Sequence, residues 1–335
     1  MDRRAQLIAV RAPNWLGDTI MALPALQALR RAYREARIML VGRWAPLIAG
    51  QDVADLLLPY PRGLSERLRF GRALGRERPD VAILLPNSLE SALAALLWRA
   101  PRRLGFDTDA RRPLLTDRVP LPTPRRSQLD EYGALIASLG VEVENARPVW
   151  RLGRSPRAEA ELDTLLAEAG VTPAARVIGL HLGAAFGTSK LWPPELFGRL
   201  ASRLRHAGLL PLLLGSPEDR DTVQVVSGSA GAPLPSLVGR DRPALLPPLY
   251  SRLACLVSGD TGVAHLAAAL GVPTVTLFGP TDPRLTAPRS PTAHALYAAA
   301  PCSPCFLANC PIDHICLRGI GVEEVAARVR SAVGA

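Results

Sequence analysis

A nine-residue motif at positions 258–266, S-G-D-T-G-V-A-H-L, has the residue types of an anion-binding turn. It follows an apolar run and opens a run of small residues, which predicts a buried strand, a tight turn and a helix. Asp260 is placed to cap that helix, and Gly262 leaves its first turn without a side chain. Unpaired N–H groups and the helix dipole would attract an anion beside Thr261, with His265 one turn further on. The alternative is a plain cap with a partly buried histidine.

A second glycine-rich segment, H-L-G-A-A-F-G-T-S-K-L-W-P, follows another predicted strand at positions 181–193. Gly183, Thr188 and Ser189 supply an amide-rich, flexible loop, and Lys190 adds a mobile cation just before a helix. Backbone N–H donors and a nearby cation are what a phosphate-binding turn needs, although the segment matches neither a Walker sequence nor G-x-G-x-x-G. The alternative is an ordinary strand-to-helix connection.

Two further strand ends carry carboxylates. The apolar run 209–214 leads into G-S-P-E-D, where Glu218 is a candidate ligand for ribose hydroxyls. Glu218 and Asp219 are equally suited to be solvated acids in the first turn of a helix. Near the start of the chain, A-P-N-W-L-G-D ends at Asp18, a carboxylate able to accept a proton from a substrate hydroxyl. Helix capping is its competing role.

The cysteines cluster near the end of the chain as C-x2-C-x4-C-x3-H-x-C. Cys302, Cys305, Cys310, His314 and Cys316 have a spacing near that of a zinc knuckle. The interleaved aromatic and basic residues that such a knuckle uses on RNA are missing. A reduced, thiol-lined turn is therefore the favoured interpretation, with zinc binding left open.

Alternating strand and helix patterns run along both halves of the chain and weaken between 140 and 156. This predicts two doubly wound α/β domains, 1–150 and 151–335, with ligands beyond the carboxyl ends of the strands in a cleft between them. Pro24 either begins or kinks the first long helix. The terminal segment 322–333 has a helical apolar face, which we expect to dock on another part of the chain, such as the first domain.

Composition indicates a globular protein with an acidic partner. Of the 335 residues, 40 are Lys or Arg and 30 are Asp or Glu, for a net charge of +10. Nucleic acid, an anionic membrane or a phosphorylated ligand would fit that charge, although a high-GC genome also enriches arginine. No signal peptide and no apolar run near ~20 residues is evident, so we expect a cytoplasmic protein that is at most peripheral to a membrane.

Six segments in register resemble glycosyltransferase family 9, the bacterial lipopolysaccharide heptosyltransferases, and most closely its heptosyltransferase II branch. They cover nearly the whole chain in order. They are R-A-P-N-W-L-G-D-T-I-M-A-L-P-A-L (11–26), L-L-P-N-S (84–88), G-A-A-F-G-T-S-K-L-W-P (183–193), S-G-D-T-G-V-A-H-L-A-A-A-L-G-V-P (258–273), F-G-P-T-D-P (278–283) and the terminal cysteine pattern.

The resemblance implies a GT-B fold, an acceptor domain followed by a donor domain, and transfer of heptose from ADP-L-glycero-β-D-manno-heptose to the inner core of lipopolysaccharide with inversion. It implies one catalytic base, one lysine that stabilises the departing diphosphate, and a set of donor-binding residues. The base matches Asp18, the lysine matches Lys190, and the donor-binding residues match Asp260, Thr261, Gly262 and His265. The residue patterns described above add four further donor-binding candidates, namely Gly183, Thr188, Ser189 and Glu218. Ala185-Phe186 replace the Thr-Thr pair of some relatives, so hydroxyl contacts with phosphate are not carried over.

The implied acceptor is a lipid A–Kdo core, whose anionic groups suit a basic first domain. Asn14, Asn87, Ser88 and Arg62 are the candidate acceptor contacts, although an arginine-rich helix such as 62–78 is usually only a solvated face. We expect a monomer with no cofactor, no metal and no bound nucleic acid, in peripheral contact with the inner membrane. The alternatives are a GT-B transferase or epimerase using another nucleotide sugar, and a basic nucleic-acid-binding protein that uses the cysteine knuckle.

Overall fold

The computed structural model resolves the chain into two compact units, Met1–Pro148 and Val149–Ala335. Each is built on one parallel sheet with helices between its strands, which confirms the predicted doubly wound α/β class. Among the described residues, no helix is both long enough and apolar enough to cross a membrane. The described residues are 6–108, 110–144, 147–153, 155–240 and 242–334.

The first unit alternates short apolar strands with helices. Pro24 lies in the first turn of the second helix, so the predicted single helix is two. The strands are β1 Leu7–Arg11, β2 Arg37–Gly42, β3 Leu56–Pro59, β4 Val81–Leu84, β5 Arg102–Phe106 and β6 Asp117–Val119, and the helices are α1 Leu16–Met21, α2 Leu23–Ala32, α3 Leu64–Arg76, α4 Leu89–Leu97 and α5 Gln128–Ala137.

The first sheet has the strand order β3-β2-β1-β4-β5-β6, and all its pairs are parallel. The order reverses between β1 and β4, where Arg11 is in register with Leu84. In doubly wound sheets a crevice opens beyond the carboxyl ends of the two strands at this reversal. Asp18 lies in the first turn of α1, shortly after β1, and Asn87 and Ser88 follow β4, so the topology brings these residues to one edge of the sheet.

The second unit begins with a helix and continues the alternation to the end of the chain. Its strands are β7 Val177–His181, β8 Leu210–Leu214, β9 Cys255–Gly259, β10 Thr274–Phe278 and β11 Ala293–Tyr297, and its helices are α6 Pro156–Glu168, α7 Pro194–His206, α8 Arg220–Ala230, α9 Leu246–Ser251, α10 Gly262–Ala269, α11 Pro283–Thr286, α12 Ile315–Arg318 and α13 Val322–Val333.

The second sheet has the order β11-β10-β9-β7-β8 and is also wholly parallel. Its reversal lies between β7 and β9, where His181 is in register with Ser258. The two glycine-rich motifs of the sequence follow these two strands. A fold that uses the crevice at its reversal point therefore places both motifs in one site.

The terminal helix α13 packs within the second unit. Val325, Ala326 and Val329 are buried in a core shared with α7 and the strands β9 and β10. The predicted docking of this apolar face is therefore confirmed, and the face completes the core of its own unit.

Candidate functional site

The site in the second unit is assembled where β7 and β9 end. A turn at Thr188–Lys190 follows β7, and α10 begins directly after β9. The two segments approach closely because β9 ends in Gly259, at which a Cβ atom would stand 2.6 Å from the carbonyl oxygen of Lys190. Lys190 and Asp260 thus meet across the reversal point of the sheet.

Lys190 is held by a two-point contact with Asp260. Its Nζ donates to Asp260 Oδ2 at 2.6 Å and to the Asp260 carbonyl oxygen at 3.1 Å. The ammonium also lies 5.0 Å from the centre of the Phe186 ring, within cation–π range. Lys190 is therefore fixed by an ion pair, and its prediction as a mobile cation is wrong.

Asp260 does not cap α10, which corrects the capping prediction. Its Oδ2 accepts hydrogen bonds from Lys190 and from the hydroxyls of Thr281, at 2.7 Å, and Thr286, at 3.3 Å. The capping position belongs to Thr261, and no side chain caps the helix. The Thr261 hydroxyl is buried and has no hydrogen-bond partner within the described residues. An uncapped helix N-terminus, a buried hydroxyl and a fixed ammonium together suit an anionic ligand.

His265 lies inside α10 with only 5% of its surface exposed. Burial lowers its pKa to about 4, which outweighs the opposite effect of Asp260. The imidazole is therefore neutral at physiological pH and adds no charge to the anion seat.

The pH dependence of stability follows from that pKa. An unfolded chain protonates His265 near its ordinary pKa of ~6.5, whereas the folded chain does not until about pH 4. The free energy of unfolding is therefore unaffected by His265 above pH 6.5. Between pH 6.5 and pH 4 it falls by at most about 3 kcal/mol, because only the unfolded chain takes up the proton. Urea titrations across this range should show a shallower pH slope for His265→Gln than for the wild type. The exposed His206→Gln is the control, and an unchanged slope in His265→Gln would refute the assignment.

The loop before Lys190 is held by the cysteine-rich segment 302–316. Ser189 donates its backbone N–H to the Ala308 carbonyl at 3.0 Å and its hydroxyl to the Leu307 carbonyl at 2.6 Å. Thr188 donates its hydroxyl to Asn309, while His314 Nε2 lies 3.1 Å from the Thr188 carbonyl. The predicted flexible loop is thus tied down, and the segment acts as a strap across it.

These contacts also bear on the predicted donor and metal ligands. Ser189 is buried against the strap, whereas Thr188 is exposed, and their contact with a donor stays a prediction. The cysteines are unpaired thiols, and Cys310 Sγ donates to the Ile312 carbonyl. Within the part of the chain that the structure describes, no three His, Cys, Asp or Glu side chains are grouped to hold a metal ion. The thiol-lined turn and the zinc-knuckle alternative both stay predictions.

The strap and the loop also approach each other closely at Gly187. Its φ of 147° is unfavourable for other residues, and a Cβ atom would collide with the Ala308 carbonyl. We expect Gly187→Ala to cost about 1–3 kcal/mol of stability, because the loop must leave its strained conformation or move away from the strap. Gly228→Ala, with open space around it in α8, is the matched control. Urea denaturation measures the loss, and a free energy of unfolding equal to wild type in Gly187→Ala would show that the loop is not positioned this way.

Glu218 follows β8, next to Asp219 in the chain, and Gly183 follows the neighbouring strand β7. Asp219 forms a reciprocal capping box with Ser216 and occupies the space in which a Gly183 side chain would stand. Gly183 is therefore required for this packing, and Asp219 is structural. Glu218 is exposed at the same turn, and hydrogen bonding to its own backbone N–H and to Ser216 lowers its pKa. It remains the candidate for ribose.

In the first unit, Asp18 lies in the first turn of α1, after Trp15 at the N-cap position. The Tyr132 hydroxyl donates to Asp18 Oδ1 at 3.4 Å. Burial and the Asp18 charge raise the pKa of Tyr132 well above its ordinary value, so the phenol stays protonated and keeps donating. Asp18 is half-buried, and Asn14 is exposed in the preceding loop, where it accepts from Arg11 at 2.7 Å.

Asn87 and Ser88 follow β4 at the same sheet edge. Ser88 caps α4 by accepting from the Ser91 N–H. Asn87 Oδ1 accepts from Arg111 at 3.3 Å, and the fully buried Arg111 also donates to the Phe106 carbonyl. The hydrogen bond from Arg111 thereby orients the Asn87 side chain. Arg62 is exposed just before α3, as a solvated arginine would be.

Sequence reasoning missed several residues of these sites. Tyr132 gave no local signal, Thr281 stood without an assigned role in the segment F-G-P-T-D-P, and Arg111 stood in one of several arginine pairs. Arg11 ends β1 and lies 3.9 Å from the centre of the Tyr60 ring, with burial lowering its pKa.

One signal was available for Lys190, because it is the chain's only lysine among 40 basic residues. A compact ammonium kept in an arginine-rich chain indicates a role that a guanidinium does not fill.

Known proteins match the chain over most of its length. The profile described as glycosyltransferase family 9 (heptosyltransferase) matches residues 67–316. Lipopolysaccharide heptosyltransferase 2 of Salmonella typhimurium is 29% identical over 304 residues, which is 86% of this chain and 87% of the relative.

Solved structures extend the likeness to the fold. The Escherichia coli ADP-heptose lipopolysaccharide heptosyltransferase II has a TM-score of 0.80 at 25% identity, covering 97% of this chain and 98% of that one. A family 9 glycosyltransferase from Veillonella parvula has a TM-score of 0.84 at 23% identity, with 99% and 98% covered. The predicted resemblance and the GT-B fold are confirmed.

Proposed function

The chain belongs to glycosyltransferase family 9 and is a heptosyltransferase of lipopolysaccharide core biosynthesis, and we propose that it takes its sugar from ADP-L-glycero-β-D-manno-heptose. Support comes from the similar E. coli protein, an ADP-heptose lipopolysaccharide heptosyltransferase II. We assign Val149–Ala335 to the donor and Met1–Pro148 to the acceptor.

The observation that carries the donor assignment is the Lys190–Asp260 pair beside the uncapped start of α10. The ammonium, the Thr261 hydroxyl and the N–H groups of the first helical turn present donors to a diphosphate. As the bond between the anomeric carbon and the diphosphate breaks, negative charge develops on ADP. Donors fixed before the reaction stabilise that charge without reorganisation, and this does the work of a divalent metal ion.

Asp18 is the proposed base on the acceptor side. An acceptor hydroxyl oxygen attacks the anomeric carbon from the face opposite ADP, so the configuration inverts and one displacement completes the transfer. The hydroxyl proton passes to Asp18, which Tyr132 holds by its hydrogen bond. Asn14, Asn87 and Ser88 share the sheet edge with Asp18 and are proposed to orient the acceptor.

The proposed acceptor is a lipid A–Kdo core, which is anionic and anchored in a bilayer. A chain of net charge +10 is attracted to both the acceptor and its membrane. We therefore propose a cytoplasmic, peripheral protein working at the inner face of the inner membrane as a monomer.

The test is an in-vitro transfer assay with purified protein, ADP-heptose and truncated lipopolysaccharides that differ in their outermost core sugar. We expect transfer to one acceptor, an inverted anomeric linkage by NMR, and full activity in EDTA. UDP-sugars should neither react nor raise the melting temperature, whereas ADP-heptose should raise it. Retention of configuration, or activity that EDTA removes, would refute the mechanism. Preference for another nucleotide sugar would refute the donor.

A further inference from the structure

The helix α4 presents an apolar ridge to solvent. Leu89, Leu93 and Leu96 recur at i, i+4 and i+7, and their exposed fractions are 43%, 45% and 47%. The opposite side of α4 is buried through small residues and Trp98. A helix that needed only to cover the sheet would carry polar residues on this outward face. Within the described residues, the leucine ridge is therefore an exposed apolar surface without a partner.

The neighbouring helix α3 carries a row of arginines. Arg69, Arg72 and Arg76 are exposed at i, i+3 and i+7, and Glu66 is the one acid within the helix. Leu64 at its start is 73% exposed. The helix thus has a basic outward face with a leucine at its N-terminal end.

The two helices are locked side by side on one face of the sheet. Gly71 and Gly75 let α3 approach α4, since Cβ atoms there would stand 3.2 Å from the Leu97 side chain and 2.7 Å from its carbonyl oxygen. Leu74 of α3 and Trp98 after α4 join the same core, together with β1, β2 and β4. Their outward faces therefore belong to one surface of the unit.

We propose that this leucine ridge and arginine row form the surface by which the protein docks on an anionic phospholipid bilayer. Leucines enter the boundary between headgroups and acyl chains, while the guanidiniums pair with lipid phosphates. The charge of the row selects a membrane over a second copy of this chain, because two like basic faces would repel. This proposal rests on the proposed function, in which the acceptor lies in such a membrane.

The experiment is co-sedimentation of the full chain with vesicles of phosphatidylcholine alone or with 30% phosphatidylglycerol. We expect binding only to the anionic vesicles, weakened by salt. Replacing Arg69, Arg72 and Arg76 with Gln should lower the partition coefficient about 100-fold, at roughly fivefold per arginine. Replacing Leu89, Leu93 and Leu96 with Ser should lower it at least about tenfold.

Matched controls in the second unit separate this surface from charge or hydrophobicity in general. One replaces Arg199, Arg205 and Arg328 with Gln, and the other replaces Val149, Leu152 and Val225 with Ser, all exposed residues. Both should bind like the wild type, and melting curves check folding. Equal losses in the controls, no binding to anionic vesicles, or a leucine-dependent dimer that ignores vesicles would overturn the proposal. Heptose transfer to a soluble core oligosaccharide, measured in parallel, reports on the proposed function separately.

Discussion

Asp18→Asn is expected to cut the turnover number by roughly 10²–10⁴ while leaving donor affinity nearly unchanged. The amide keeps the shape of the side chain and can still contact Tyr132, but it cannot take the acceptor proton. Stopped-time assays of heptose transfer give the turnover number, and calorimetry with ADP gives the affinity. The loss should fall on the chemical step, because ADP is assigned to the other unit.

Asp130→Asn is the matched control for that prediction. Asp130 is also a half-buried acid in the first turn of a helix of the first unit. Its substitution should change turnover by less than about twofold, since helix-dipole effects amount to only ~0.3–1 kcal/mol of stability. Near-normal turnover in Asp18→Asn would remove Asp18 from the mechanism.

Lys190→Met is expected to weaken ADP binding by about 10- to 100-fold, the value of a charge-assisted hydrogen bond. It should also lower the free energy of unfolding by about 3 kcal/mol, because Asp260 would remain buried without its cation. Calorimetry with ADP and urea denaturation measure the two effects separately.

The double variant Lys190→Met/Asp260→Asn distinguishes the two roles. A neutral amide at position 260 should restore part of the lost stability, since no buried charge is left unpaired. It should not restore ADP affinity, because the ammonium is still missing. Recovery of affinity together with stability would mean that Lys190 acts only through folding.

The sequence was sufficient to predict the class of fold and the loops that form the sites. Buried strands such as Val81–Leu84 are fully apolar, and polar residues follow where they end. β5 and β6 were missed because Arg102, Arg103 and Arg118 interrupt their apolar pattern. Their backbones pair in the sheet, β5 between β4 and β6 and β6 at the edge, because tertiary packing outweighs the local pattern.

The site geometry was less predictable than the site's location. Asp260 follows a strand and precedes a helix, which is the sequence pattern of a helix cap. It forms an ion pair instead, because Lys190 approaches it from a loop seventy positions earlier in the chain. The strap over Thr188 and Ser189 likewise depends on a segment more than a hundred positions later. Such contacts are set by strand order, which a linear pattern does not contain.

The most direct test of the central claim is a single-turnover experiment with labelled ADP-heptose and a lipid A–Kdo core acceptor, followed by mass spectrometry of the lipid. We expect one heptose per acceptor for the wild type. In Asp18→Asn, donor should stay bound while transfer is slowed at least about 100-fold. Rapid heptose transfer by Asp18→Asn, or ADP release by the wild type without a heptosylated lipid, would contradict the proposed mechanism.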